Sequence, residues 1–279
     1  MKVDICKQLK ENAPLIHCIT NPISIMQCAN AVLLLGARPI MAEHPDEVRK
    51  ITATAKALLL NFGNITRDRL EAMTVSYDEA MAKEIPTVID AVGAACSDLR
   101  RNTVRKMMGA EVTGQSDRSH GEIQGISKRN KKVPMLVKGN YSEIKALLDS
   151  DYSSSGVDAD NKVSADEIKE IAVSLADKYG VIVLASGEKD IATDGKKCAV
   201  ISNGTAKLGS ITGTGCMLGA VCASFFSQRQ NIETVVRAVA GFGISGENAE
   251  GDMFLMRLFD AIADIDDDII EERMKVIWS

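Results

Sequence analysis

A chain of 279 residues, 46% hydrophobic and 25% charged, is long and apolar enough to bury a sizeable core. Its formal net charge of −5, with no Lys/Arg block backed by aromatics, argues against nucleic acid as a partner; Lys128-Arg129-Asn130-Lys131-Lys132 reads as a solvated loop. Seven scattered cysteines without a CxxC pair, no signal-peptide core after Met1 and no apolar run near the ~20 residues of a membrane span point to a reducing, cytoplasmic setting, and away from a disulfide framework, a zinc site or a membrane partner.

In chain order, residues 1–13 read as a short amphipathic helix, and 15–19 is an apolar run of strand length ended by Thr20-Asn21-Pro22. Residues 23–35 have helical spacing and close at Gly36, a residue suited to the position past a helix end. Strand character returns at 38–42, and His44-Pro45-Asp46-Glu47 opens a helix with proline in its first turn, where the missing N–H has no partner to lose. Residues 57–61 predict a buried strand, 66–84 a helix and 87–90 a strand. Ser97 caps a helix running to about 108, and 135–138 is a further strand. Ser164-Ala165-Asp166-Glu167 is a capping-box signature for a helix to about 179, followed by a strand at 181–185. Residues 198–202 and 205–208 flank Asn203-Gly204, which predicts a two-residue hairpin. Helices at 216–228, 231–250 and 252–263, with a short acidic helix after Asp266, fill the rest. Residues 110–132 are polar and glycine-bearing and read as a surface insertion inside one domain spanning 1–279.

Apolar strands alternating with helices predict an α/β fold: a single-domain three-layer α/β/α sandwich around a mostly parallel sheet. Ligands of such sheets bind beyond the carboxyl ends of the strands. The polar residues just after each strand are therefore the candidates: Thr20/Asn21, Asn61, Asp90, Lys138/Asn140 and Ser186/Glu188.

One stretch stands apart, Gly209-Ser210-Ile211-Thr212-Gly213-Thr214-Gly215-Cys216, a Gly/Thr turn running into an apolar helix. Two glycines bracketing Thr214 leave backbone N–H groups uncovered at the positive end of a helix dipole, an anion site suited to phosphate. Cys216 lies in the first helical turn, where a thiolate is favoured. The same pattern fits a glycine-rich loop leading into a core helix with Cys216 as a small buried hydrophobe. Asp90 either holds Mg²⁺ on phosphate oxygens or caps the next turn. Lys138-Gly139-Asn140-Tyr141-Ser142-Glu143 offers a cation, amides and a carboxylate, and Asn140 with Glu143 also spells a capping box; both readings can hold together. Met41 ends a short strand beside the ligand edge. Neither a P-loop, an HExxH motif nor a nucleophile elbow is present.

Taken in order, His17-Cys18-Ile19-Thr20-Asn21, Leu35-Gly36-Ala37-Arg38-Pro39-Ile40-Met41-Ala42, Leu60-Asn61-Phe62-Gly63, Asp90-Ala91-Val92-Gly93-Ala94, Lys138-Gly139-Asn140, Ser186-Gly187-Glu188-Lys189-Asp190 and Ile211-Thr212-Gly213-Thr214-Gly215-Cys216 resemble hydroxyethylthiazole kinase, of the ribokinase-like group. The resemblance implies transfer of the ATP γ-phosphoryl group to the alcohol of 4-methyl-5-(2-hydroxyethyl)thiazole, a thiamine salvage step. It places Met41 and Gly213 on the thiazole, with Asn21 and Ile23 lining that pocket from a neighbour in a homotrimer. Lys138, Ser186, Thr212, Gly215 and Asn140 fall where the family binds ATP, and Asp90 and Glu143 where it holds Mg²⁺. Cys216 faces the alcohol, either accepting its proton or positioning the hydroxyl. The chain departs from the family at Ala91, Ala95 and Met26, and at Lys138, where arginine is usual. A kinase for another small alcohol, such as hydroxymethylpyrimidine, and a catalytically weakened binding protein on the same scaffold are the alternatives.

Overall fold

Every residue of the strand at Ala57–Asn61 is buried, because helices cover both of its faces. The computed structural model describes residues 4–110, 126–149, 152 and 164–279; most of the expected insertion at 110–132 lies outside the described residues. One nine-stranded sheet runs through the described chain. Six parallel strands form most of it: β1 (Leu15–Ile19), β2 (Arg38–Ile40), β3 (Ala57–Asn61), β4 (Thr87–Asp90), β5 (Met135–Asn140) and β6 (Ile182–Ser186), in the order β2-β1-β3-β4-β5-β6. Antiparallel β7 (Asp190–Thr193), β8 (Cys198–Ile201) and β9 (Val276–Trp278) continue it at one edge.

Side chains of a strand alternate between faces, so a continuous apolar run feeds two cores at once. Leu59, Val88, Leu136 and Leu184 point to one helical layer. It is built from α1 (Ile5–Asn12), α2 (Ile25–Leu34), α9 (Thr214–Phe226), α10 (Ile232–Asn248), α11 (Phe254–Asp264) and α12 (Asp267–Arg273). Leu58, Leu60, Ile89, Val137 and Val183 point to the other. That layer comprises α3 (Pro45–Thr52), α4 (Arg67–Lys83), α5 (Asp98–Met108), α6 (Tyr141–Leu148) and α7 (Ala165–Tyr179). Burying each such leucine contributes roughly 1.5–3 kcal/mol. The expected α/β/α layering is what forms.

Local signals set the helix ends. Thr66, Ser97 and Ser164 each accept a bond from the backbone N–H three residues on, capping α4, α5 and α7. His44 caps α3 ahead of Pro45, and Gly36 leaves α2 with φ +90°.

The expected hairpin at Asn203-Gly204 does not form. Thr205 instead caps a short helix, α8 (Ala206–Ser210), and the antiparallel partners of β8 are β7 before it and β9, far along the chain, on its other side. The Asn203 side chain explains why: its Oδ1 accepts from Lys275 N at 2.7 Å and its Nδ2 donates to Arg273 O at 3.1 Å, pulling the entry of β9 against the end of β8. Strands β7 and β9 are additions that the sequence reading did not contain, and β5 extends two residues further, to Asn140.

Candidate active site

The polar residues that follow the parallel strands line up along one edge of the sheet. Asn61 sits in register with Asp90, Asp90 with Lys138, and Asn140 with Ser186. Across this edge enters α9, whose N-terminus is the Gly/Thr turn.

Asp90 is fully buried and is the hub. Its Oδ1 accepts from Lys138 Nζ at 3.0 Å and its Oδ2 from Asn61 Nδ2 at 2.8 Å. Burial pushes the Asp90 carboxyl up, against the pull of Lys138 and the Asn61 amide. Burial alone would lower Lys138, but the facing Asp90, Cys216 and Glu143 outweigh it and hold the ammonium protonated, above lysine's ordinary range.

From Asp90 a chain of amides leads to the cysteine. Asn61 is oriented by Asp90, so its Oδ1 faces Asn21 and accepts from Asn21 Nδ2 at 3.0 Å. The same Asn21 nitrogen donates to Cys216 Sγ at 3.2 Å, while Asn21 Oδ1 accepts from Ile23 N. The resemblance assigns Asn21 to a neighbour's pocket; the structure places its buried side chain on the Cys216 of its own chain. Ile23 joins this network through its backbone N–H alone and is 63% exposed.

The turn is open. Gly213 is the N-cap of α9 with φ +96°, a conformation that suits glycine. Thr214 is turned inward, its hydroxyl donating to Ile211 O at 2.9 Å. Among the described residues the N–H groups of Gly213, Gly215 and Cys216 meet no protein acceptor, and Gly215 is exposed. Thr212 is exposed beside them, and a Cβ built on Gly215 would lie 4.0 Å from Lys138 Nζ. Uncovered amides, a helix N-terminus and a cation thus converge on one spot, which favours an anion with several oxygens.

Glu143 completes the reciprocal cap predicted for Asn140. Asn140 Oδ1 accepts from Glu143 N at 2.9 Å, and Glu143 Oε2 accepts from Asn140 N at 2.7 Å. Its other oxygen accepts from Gly93 N at 2.7 Å, which ties the loop after β4 to α6. Burial pushes Glu143 up to about 7, against those two N–H groups. Ser186 donates to Gly139 O at 3.2 Å, at the mouth of the same edge. Each oxygen of Asp90 and Glu143 thus takes one protein donor and keeps a lone pair. Among the described residues no group of three or more His, Cys, Asp or Glu is placed to hold a metal. Two carboxylates of this kind fit a magnesium ion that brings water and phosphate oxygens as its remaining ligands, not a closed protein cage.

Met41 follows β2 and is half-buried at the same edge. The residue after it, Ala42, is held by His17. Because a carbonyl only accepts, the 3.0 Å contact to Ala42 O puts the proton on Nε2, and Nδ1 accepts from Thr52 Oγ1 at 2.9 Å. Burial lowers the imidazole's affinity for a second proton, although the Ala42 carbonyl and Glu47 oppose it. The unfolded chain therefore takes up a proton first as pH falls below about 6.5, so the contribution of neutral His17 to stability is whole above that point and declines below it. Urea unfolding at about pH 5 and pH 8 should show this acid sensitivity in the wild type and a smaller one in His17→Gln, whose amide still reaches Ala42 O without titrating. Equal pH dependence in both proteins would clear His17 of the effect.

Of the twelve residues singled out from the sequence, Asn21, Asp90, Lys138, Asn140, Glu143, Ser186, Gly215 and Cys216 come together here, with Thr212, Gly213 and Met41 at the rim. Asn61, a polar residue at a strand end with no chemistry of its own in the sequence pattern, is the link between Asp90 and Asn21. Gln27, whose Nε2 donates to Thr212 O at 3.1 Å, was not singled out, because its partner lies 185 residues away and no local pattern marks it.

Known proteins carry the same arrangement of chain. The model of the hydroxyethylthiazole kinase family matches residues 6–268. Hydroxyethylthiazole kinase 2 of Clostridium botulinum (strain Hall) is 39% identical over 283 residues, covering 98% of this chain and 99% of that protein. Among solved structures, a hydroxyethylthiazole kinase protein from Pyrococcus horikoshii OT3 superposes with a TM-score of 0.82 at 26% identity, covering 99% of this chain and 97% of that one. A ribokinase-like superfamily protein from Enterococcus faecalis V583 shares the fold, with a TM-score of 0.63 at 12% identity, covering 94% of this chain and 88% of that one. The layered sheet, the open turn before α9 and a match over nearly the whole chain lead to one conclusion: this chain belongs to the hydroxyethylthiazole kinase family.

Proposed function

We propose that this chain transfers the γ-phosphoryl group of ATP to the hydroxyl of 4-methyl-5-(2-hydroxyethyl)thiazole, in thiamine biosynthesis or salvage. The observation that carries the reading is the open turn of uncovered amides at Gly213, Gly215 and Cys216, set beside a sulfur that Asn21 holds. Phosphoryl transfer needs little covalent help and much positioning and charge neutralisation. The amides, pre-aimed by α9, stabilise the oxygens of the migrating group without rearranging as charge shifts. Lys138 adds a fixed positive charge behind them. The alcohol oxygen attacks the γ-phosphorus, the bond to the ADP oxygen breaks, and the alcohol proton leaves toward Cys216. Asn21 Nδ2 donates to that sulfur at 3.2 Å and fixes its place beside the open turn.

Thr212, Gly215, Lys138, Asn140 and Ser186 line the nucleotide side of the site, and Met41 and Gly213 the thiazole side. Asp90 and Glu143 would hold a magnesium ion that arrives with the nucleotide, and that ion would supply charge neutralisation on the phosphates. Assembly of three copies, with Ile23 reaching a neighbour's thiazole pocket, is supported by the exposed apolar run of Ile23, Met26 and Leu33, at 63%, 62% and 54% exposure. Seven free thiols fit the cytoplasm, and no helix among the described residues is long and apolar enough to cross a membrane.

The test is ADP release from Mg-ATP, measured with the thiazole alcohol, with hydroxymethylpyrimidine and with neither. Release should require the thiazole alcohol. A preference for the pyrimidine would move the assignment to a sister substrate, and silence with both alcohols would leave a binding protein.

A further inference from the structure

We propose that Gln27 is a positioning residue for phosphoryl transfer: it sets the orientation of the Thr212–Gly213 peptide so that the Gly213 N–H faces the migrating group. The inference rests on the reading that the Gly213–Cys216 amides hold that group.

Gln27 lies on α2, outside the strand-end network, and is 9% exposed. Its Nε2 donates to Thr212 O at 3.1 Å. A trans peptide is planar, with its C=O and N–H opposed. Drawing Thr212 O toward α2 therefore turns the Gly213 N–H away from α2, and on that side it meets no acceptor among the described residues. The rest of the carboxamide shows that this grip is kept at a cost. Gln27 Oε1 is buried and has no hydrogen-bond partner among the described residues. An orphaned buried acceptor destabilises a fold, and calls for an explanation. A methionine would fill the same space without the orphan. The orphan remains because the donor on the other side of the same carboxamide is needed.

The contact also explains why residue 213 has no side chain. A Cβ there would stand 2.0 Å from Gln27 Oε1 and 3.2 Å from Ser24 Cβ, in addition to the strain of φ +96°. Gln27 and Gly213 fit as a pair: the glycine admits the carboxamide, and the carboxamide aims the glycine's amide.

Gln27→Met separates this role from packing. It removes the donor and the orphan together, so the variant should melt at or above the wild-type temperature. Its kcat should fall about 100-fold, the size of one lost oxyanion-type donor, while KM for the thiazole alcohol stays within about threefold. With ¹⁵N-labelled glycine, the Gly213 amide resonance should move in the variant. Gln27→Glu, which sets an oxygen against Thr212 O, should lose at least as much kcat. A kcat like the wild type's in either folded variant overturns the proposal. So does slow hydrogen exchange at Gly213 in the free wild-type protein, a measurement that needs no variant to fold. If the wild type itself releases no ADP with the thiazole alcohol, the underlying reading fails and takes this inference with it; wild-type turnover with an unimpaired Gln27→Met removes Gln27 alone.

Discussion

Asp90→Ala should lower unfolding stability by about 3–5 kcal/mol and abolish thiazole-dependent ADP release. The stability loss comes from what is left behind. Lys138 is 4% exposed, and its ammonium has the fully buried Asp90 as its salt-bridge partner, at 3.0 Å. Without the carboxylate, a positive charge stays in the sheet without compensation, which costs far more than the net worth of the intact pair. Asn61 Nδ2 loses its acceptor as well. The loss of turnover has a separate route. Asn61 keeps the Gly63 N–H on its Oδ1 at 2.9 Å but loses the bond on its Nδ2, so its hold on Asn21, and through it on Cys216, weakens, and the candidate magnesium carboxylate is gone. Adding Lys138→Met to Asp90→Ala separates the two effects. Replacing a buried pair by apolar side chains is commonly neutral or better, so the double variant should recover most of the urea midpoint and none of the activity. If Asp90→Ala unfolds at the wild-type midpoint, the pair is not buried in solution and the hub assigned to Asp90 is wrong.

How much of this was legible in the sequence follows from the range of each interaction. The runs at 57–61 and 87–90 are continuous and apolar with a polar last residue, so both strands and their ligand-facing ends, Asn61 and Asp90, can be read directly. Thr66, Ser97 and Ser164 signal helix starts because a cap bonds only three residues ahead. The Asn140–Glu143 box is legible for the same reason, and the structure shows that the cap and the candidate metal carboxylate are one side chain. Signals fail where the partner is distant. Asn203-Gly204 carries a hairpin pattern, but a strand more than 70 residues on occupies the place beside β8, and nothing near Asn203 announces it. Strand β7, Asp190–Thr193, has only Ile191 and Ala192 between two polar residues, so no apolar run marks it. The Asn21–Cys216 bond joins residues 195 apart, so the aim of the amide at the sulfur exists only once the sheet has brought β1 and α9 together.

Cys216→Ala should lower kcat about 10²- to 10⁴-fold, with nucleotide binding and KM for the thiazole alcohol little changed. The sulfur is half-buried at the mouth of the open turn, at the margin of one apolar core, and alanine is a strong helix former, so the substitution leaves the fold in place. What disappears is the group at the acceptor alcohol, and an interaction made chiefly in the transition state shows in kcat and kcat/KM together, not in KM. Cys216→Ser distinguishes the two ways the sulfur could act. A hydroxyl still accepts from Asn21 Nδ2 and can hold the alcohol in place, so a purely positioning role predicts near-wild-type turnover in the serine variant. A proton acceptor predicts that serine recovers little, because a hydroxyl takes the alcohol's proton far less readily than a sulfur does. Asn21 Nδ2, at 3.2 Å, fixes where the sulfur stands, a placement that either role requires, so the serine variant decides between them. A Cys216→Ala enzyme as fast as the wild type would leave the amides and Lys138 to do the catalysis alone, with the alcohol's proton passing to a phosphate oxygen.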